Sequence, residues 1–391
     1  MNGVYTGADN IITSLGFTTS ENLTSIRNSL IGLKNHPDKF FTTTPVPLSA
    51  VDTSRLEKSF LGWLAIHHPD QNPDAFTRIE KIFILSIQDA LDQSGIDIQN
   101  EKSLLVLSTT KGNINLLDEK FSGLFDRERL YLWKMADIIG ETLGFKNRPK
   151  VISNACISGA LAIGLAGRLI NAGRYDNVVV TGGDILSEFV ISGFISFLAL
   201  SPEPCRPFDI SRNGLSLGEG CGTMILTSNP GSVKGKRISL TGASSANDAN
   251  HISGPSRTGE ELALAIRNAL RDSGLDFHSI DYISTHGTAT VFNDDMEAKA
   301  LNLSVLQDVP VNSFKGYFGH TLGGAGVIES ILAVHSLSED MLFRSAGFNE
   351  PGLPEPLNVI RDHNSAALSN ILKIASGFGG CNAALVFSKE K

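Results

Sequence analysis

The chain has 391 residues, 41% hydrophobic and 19% charged, with a formal net charge of −8. That is the composition of an ordinary globular protein, long enough for a large core or two fused units. The acidic balance argues against a nucleic-acid surface, and no apolar run reaches the ~18 residues of a membrane span.

Short apolar strands alternate with helical stretches, the pattern of an α/β sheet. Phe76–Ser94 predicts a helix and Ser103–Ser108 a buried strand. The apolar pair Val151–Ile152 stops at Ser153-Asn154-Ala155-Cys156, and Leu161–Ala172 follows as a helix of small and aliphatic residues. Asn177–Thr181 and Gly222–Leu226 are two more buried strands. After Ser228-Asn229-Pro230-Gly231 the programme restarts. A strand at Arg237–Gly242 leads to a helix at Gly259–Ser273, a strand at Ile280–Thr285, a loop, and a helix at Met296–Ser304. Val311–Ser313 is a strand end, Lys315–His320 a loop, and Thr321–Leu337 a helix that opens on Leu322-Gly323-Gly324-Ala325-Gly326. Pro351–Pro356 is a surface connection before the last strands. Each half thus sets a reactive side chain before a glycine-rich helix, a weak internal duplication. The expected division is 1–230, carrying the nucleophile, and 231–391, carrying two histidine loops.

Cys156 stands at a strand-to-helix turn, at the positive end of a helix dipole. A thiol there is expected to ionise more easily than a free one, and the thiolate is the nucleophile. Three other segments bear chemistry: Ser284-Thr285-His286-Gly287-Thr288-Ala289-Thr290 with Asn293-Asp294-Asp295-Met296-Glu297; Asn312 to Thr321, containing Lys315 and His320; and Ser376-Gly377-Phe378-Gly379-Gly380-Cys381-Asn382. Both histidines follow strand ends, in glycine-flanked loops where α/β sites assemble.

These motifs, in this order, resemble a β-ketoacyl-acyl carrier protein synthase of the elongating, Cys-His-His type, in the thiolase superfamily. Arg206-Pro207-Phe208-Asp209, Gly218-Glu219-Gly220 and Asn247-Asp248-Ala249-Asn250-His251 add to the likeness, which is weakest over roughly the first 70 residues. The resemblance implies a five-layer α-β-α-β-α fold of two similar halves. It implies that Cys156 takes an acyl chain from a carrier-protein thioester. His286 and His320 would then hydrogen-bond the malonyl thioester carbonyl and promote decarboxylation, supported by Lys315 and Glu297. Thr288 and Thr290 would contact the phosphopantetheine arm. Phe378 would gate access, and its N–H with that of Cys156 would form an oxyanion hole. No metal or cofactor is implied beyond the phosphopantetheine carried by the acyl carrier protein. The family is typically homodimeric, and Val178–Val180 would suit an interface strand.

The chain also departs from the family. Relatives place a basic cluster before the first long helix, where this chain has Pro69-Asp70-Gln71-Asn72-Pro73-Asp74. Carrier docking would then rest on Arg78, Lys81, Arg127, Arg129 or Arg206. Fatty-acid synthesis is one expected setting; the short length, the missing cluster, Asn154 and Ile157 point to a specialised polyene or polyketide pathway as the other, with a non-identical ketosynthase-like partner. Cys381 is expected to pack rather than act as a base, and Cys205 and Cys221 to be buried bystanders. His67-His68 and His363 lack metal-ligand spacing. Four cysteines without a CxxC pair suit a reducing, cytoplasmic compartment, and no signal peptide is expected. Two rivals remain: a thiolase or starter-unit synthase acting on coenzyme A esters, and a non-catalytic chain-length-determining subunit.

Overall fold

The buried strands send alternate side chains into different cores, which is why they read as continuous apolar runs. Leu104 and Val106 enter one cluster while Leu105 and Leu107 enter another. Ile371 and Ala375 likewise part from Leu372 and Ile374. These data come from a computed structural model describing residues 3–35, 46–121, 123–249 and 254–390.

Ten strands form the main sheet: β1 (Tyr5–Ile12), β2 (Ser103–Ser108), β3 (Lys150–Ile152), β4 (Asn177–Asp184), β5 (Gly220–Thr227), β6 (Ile238–Asn247), β7 (Tyr282–Ser284), β8 (Val311–Asn312), β9 (Asn370–Gly377) and β10 (Cys381–Lys389). Their order is β8-β7-β9-β10-β6-β1-β5-β4-β2-β3. In the first run β1 pairs antiparallel with β5 and β5 with β4, while β4–β2 and β2–β3 are parallel. In the second, β6–β10 and β10–β9 are antiparallel, and β9–β7 and β7–β8 parallel. Order and sense are the same in both. The runs join at β1 and β6 through a single residue pair, Tyr5 with Ser239, and the Leu240 N–H bonds Val4 O at 2.8 Å.

Seven helices build the layers: α1 (Arg78–Ser94), α2 (Leu132–Leu143), α3 (Ser158–Asn171), α4 (Glu188–Ser196), α5 (Glu260–Ser273), α6 (Val291–Leu303) and α7 (Ala325–Glu339). Helices α1 and α2 cover the outer face of the first run, and α5 and α6 that of the second. Between the runs lie α3 and α7, whose side chains share one core with both. A Cβ on Gly326 would lie 2.3 Å from Ala160 N, and one on Gly159 2.6 Å from Val327 N, so glycine lets the two helices touch backbone to backbone. The result is the expected five-layer α-β-α-β-α thiolase-like fold.

Some expectations need correction. Val178–Val180 are fully buried in β4, between β5 and β2, so they offer no free edge to a partner. The sheet ends at β3 and β8, and the outer edge of β8 is taken up by Asn358–Ile360, which bond Val311. Helix α6 starts at Val291 rather than Met296, and Lys315–Phe318 forms a helical turn, not a loop. A 3-10 turn at Leu322–Gly324 precedes α7. Asn250 and His251 lie outside the described residues. Among the described residues, no helix is long and apolar enough to cross a membrane.

Candidate active site

After β3, the backbone turns through Ala155 at φ 45°, a left-handed value that costs a non-glycine residue about 1–3 kcal/mol. Ser158 pins this turn. Its hydroxyl donates to Ala155 O at 2.6 Å and accepts from Asn154 N at 2.8 Å. Cys156 stands just ahead of α3, 8% exposed. Against the expectation from the helix dipole, burial pushes its thiol up to about 12, with Cys381 and Asp184 adding to the rise. Lys315 and the Phe378 N–H act in the opposite direction, and desolvation wins.

His286 leaves the end of β7. Its N–H and that of Gly287 donate to the two oxygens of Glu297 at 2.7 and 2.6 Å, so Glu297 holds the turn through its backbone. Burial and the neighbouring Asp294 push the Glu297 carboxyl up to about 7. Lys315, fully buried, donates to His286 Nδ1 at 3.2 Å and to His286 O at 2.5 Å. An ammonium can only donate, so Nδ1 accepts and the ring proton sits on Nε2. His320 reaches the same tautomer by another route, since the Leu322 N–H donates to its Nδ1 at 3.3 Å. Its Nε2 is buried with no hydrogen-bond partner among the described residues.

Burial first, and Lys315 and Lys373 after it, hold both imidazoles well below their ordinary pKa. Both rings are therefore neutral near pH 7. They meet at a centroid distance of 5.0 Å, almost perpendicular. One side-chain atom each of Cys156, His286 and His320 lie within 4.8 Å of one another. Those three atoms could in principle hold a metal. The tautomers, however, turn Nε2–H bonds rather than lone pairs away from the supporting contacts, an arrangement suited to receiving an anionic oxygen.

The three residues open onto a cavity of about 350 Å³ that Thr288, Thr290 and Phe378 also line. The two threonine hydroxyls lie 2.9 Å apart. The Phe378 ring is partly exposed and packs against Phe194 and Phe197 at 5.7 and 5.5 Å. Cys381 is buried, with its Sγ 3.2 Å from Phe378 O. Cys205 and Cys221 are buried away from the cavity lining.

The docking candidates divide. Arg129 turns inward to buried Glu80 at 2.5 Å, and Arg78 reaches buried Glu219 at the same distance. Lys81 pairs with Glu57 and Arg206 with Glu203, each at 2.7 Å. Arg127 is exposed. Three residues of the site escaped the sequence reading. Glu329 accepts from Lys315 at 2.5 Å and from Lys373 at 2.7 Å. Asp184 takes the N–H groups of Thr110, Lys111 and Gly323, joining the end of β4 to the turn before α7. The signal for Glu329 and Lys373 was present: each is a lone charge inside an apolar run, Val327–Val334 and Ile371–Ala375.

Two sequence profiles match in order, the β-ketoacyl synthase N-terminal domain at residues 69–230 and its C-terminal domain at residues 238–349. The chain is 30% identical to a 3-oxoacyl-[acyl-carrier-protein] synthase 2 of Vibrio cholerae, over 77% of this chain and 80% of that protein. It is 27% identical to a putative mitochondrial 3-oxoacyl-[acyl-carrier-protein] synthase of Schizosaccharomyces pombe, over 97% and 98%. It is 31% identical to a putative polyketide β-ketoacyl synthase of Streptomyces halstedii, matching 65% of this chain and spanning 64% of that protein. The fold is shared with a β-ketoacyl synthase from Burkholderia phymatum, at a TM-score of 0.89 and 23% identity over the whole of both chains. It is also shared with a ketosynthase from Xenorhabdus doucetiae solved with its chain length factor, at a TM-score of 0.85 and 24% identity over 100% of this chain and 98% of that one. Matched through both halves of the family's pattern, the chain belongs to the β-ketoacyl synthase family.

Proposed function

We propose that this chain carries out the family's decarboxylative Claisen condensation, joining an acyl group held on Cys156 to a malonyl group held on an acyl carrier protein. The observation that carries the reading is the pair of neutral imidazoles, each with its proton on Nε2, close to the Cys156 sulfur.

In the first half-reaction the Cys156 sulfur attacks a carrier thioester. Its proton leaves to the departing phosphopantetheine thiol, and the acyl group stays on sulfur. The oxyanion formed on the way would lie against the N–H groups of Cys156 and Phe378. Such a donor is worth about 2.7–4 kcal/mol to the transition state. In the second, the malonyl thioester oxygen accepts from Nε2–H of His286 and His320. The carboxylate leaves as CO₂, and the electron pair it releases forms an enolate under those two donors. The enolate carbon attacks the Cys156 thioester, a new carbon–carbon bond forms, and the sulfur departs. The product is a 3-oxoacyl carrier protein two carbons longer. Thr288, Thr290 and Phe378 line the same cavity, where the two hydroxyls would contact the arm and the ring would gate access. No step calls for a metal or cofactor held by the chain.

The rivals fit less well. A chain-length-determining subunit needs no nucleophile, yet Cys156 and both histidines converge. A starter-unit synthase pairs Cys and His with an asparagine, and here His320 stands in that place. The working unit would be a dimer, either of two identical chains or with a related ketosynthase-like subunit. Carrier docking would use Arg127 and the outer face around Arg206. The setting would be cytoplasmic, in fatty-acid synthesis or a specialised polyene or polyketide pathway, with the chain's halves meeting near residue 230. Incubation with acyl-carrier and malonyl-carrier substrates tests the reading. Intact-mass analysis should show an acyl adduct on Cys156 and then a 3-oxoacyl carrier, with CO₂ released. Absence of the adduct with every acyl-carrier tried would overturn it.

A further inference from the structure

Lys373 sits at the middle of β9, fully buried, on the face that also carries Ile371 and Ala375. An ammonium cannot be left bare in such a place. Its Nζ lies among four oxygens from three segments: Glu329 Oε2 at 2.7 Å, Ile374 O at 2.7 Å, Thr285 O at 3.0 Å and Ser284 O at 3.4 Å. Four acceptors around three N–H bonds make a cage for a small cation rather than a set of directed partners. Ser284 and Thr285 are the two residues before His286. The other oxygen of Glu329 holds Lys315, which in turn holds His286 at Nδ1 and O. Lys373 therefore grips His286 twice, through the strand end it leaves from and through Glu329 and Lys315.

We propose that Lys373 is a positioning residue for the condensation step: its ammonium fills an oxygen cage beneath His286, and that cage takes a free ammonium ion when the side chain is removed. The proposal rests on the condensing-enzyme reading above. Burial and the neighbouring Lys315 hold the Lys373 ammonium below its ordinary pKa while Glu329 opposes them, and the positive charge of the two lysines helps keep the imidazoles neutral. The other titratable groups around His286 are Lys315 from the helical turn after β8, His320 just after it, Glu297 from α6 with Asp294 beside it, Glu329 from α7 through Lys315, and Cys156 from the turn before α3.

The test compares wild type with Lys373→Ala at constant ionic strength in choline chloride. Condensation by the variant should fall about tenfold to a hundredfold, the range for a misplaced reacting group. Transfer of the acyl group to Cys156 should change by no more than about twofold, since that step does not use His286. Ammonium chloride should restore condensation in a saturable manner, whereas tetramethylammonium, too bulky for contacts of 2.7 Å, should not. Without ammonium, the acid limb of kcat should move to higher pH in the variant, because a positive charge that opposes imidazole protonation is gone. Wild type should be indifferent to ammonium. A folded variant with wild-type kcat overturns the proposal, as does a deficit that ammonium does not relieve or that tetramethylammonium relieves equally. Should Lys373→Ala not fold, Lys373→Met keeps the volume of the stem for the same assay. Activation of wild type by ammonium would independently show the cage to be open and overturn the proposal. Wild-type condensation is the control: its absence sinks the functional reading rather than the role of Lys373.

Discussion

At the scale of single residues, the site works by desolvation as much as by charge. The Cys156 thiol, raised to about 12, is protonated at neutral pH. Its alkylation by iodoacetamide should rise about tenfold per pH unit from 7 to 9 without a plateau. A plateau near pH 7 would show that the helix dipole prevails after all. The two imidazoles carry the opposite sign. Each is held below its ordinary pKa, so the donor form persists until the pH falls well under 6.5. His320→Ala should leave acylation of Cys156 in place and cost condensation about 10²–10³-fold, the loss expected for one oxyanion donor. Intact-mass detection of the stalled acyl enzyme would check it. Sequence placed these residues because the chemistry demands reactive side chains in glycine-flanked loops. It marked Glu329 as a lone charge in an apolar run but not its role, which depends on two lysines, 14 and 44 residues away, meeting one carboxylate.

At the scale of elements, the contact between α3 and α7 sets the distance from sulfur to imidazole. Gly159 and Gly326 leave no room for a methyl group against the opposing backbone, and backbone cannot yield as a side chain end can. Gly326→Ala should therefore cost roughly 1–3 kcal/mol of stability by overpacking. It should also lower condensation by widening the site, as thermal melting and a product assay would show. The strands and helices of this region were legible because their periodicity is strong. The extent of α6 was not. Its first turn is folded back onto the loop before it, where Asp294 takes the N–H groups of Thr288 and Ala289, at 3.0 and 3.2 Å. That bond pattern extends the helix upstream of where the apolar spacing begins.

At the scale of the whole molecule, the surface cations carry different loads. Arg129 neutralises buried Glu80, whose carboxyl burial pushes up. Arg129→Ala should thus cost stability, roughly 3 kcal/mol, the low end for breaking a buried pair. Its effect on the KM for carrier protein should be small. Arg127→Ala should do the reverse, raising that KM with little change in melting temperature. A carrier titration beside a thermal melt on both variants separates the two roles.

The sequence by itself determined the α/β class and, through the family resemblance, picked out Cys156, His286, His320 and Phe378, which line one cavity, and Lys315 beside them. Local chemistry leaves a local mark: a thiol before a small-residue helix, and rings in glycine loops at strand ends. Only the tertiary structure decided which charges meet. Arg78 and Arg129 became internal struts, Val178–Val180 became a central strand, and the thiol's burial outweighed the dipole it faces. Those outcomes depend on neighbours far along the chain, Glu219 being 141 residues from Arg78 and Glu80 49 from Arg129, and on solvent excluded by the complete fold, and neither is written in any single segment.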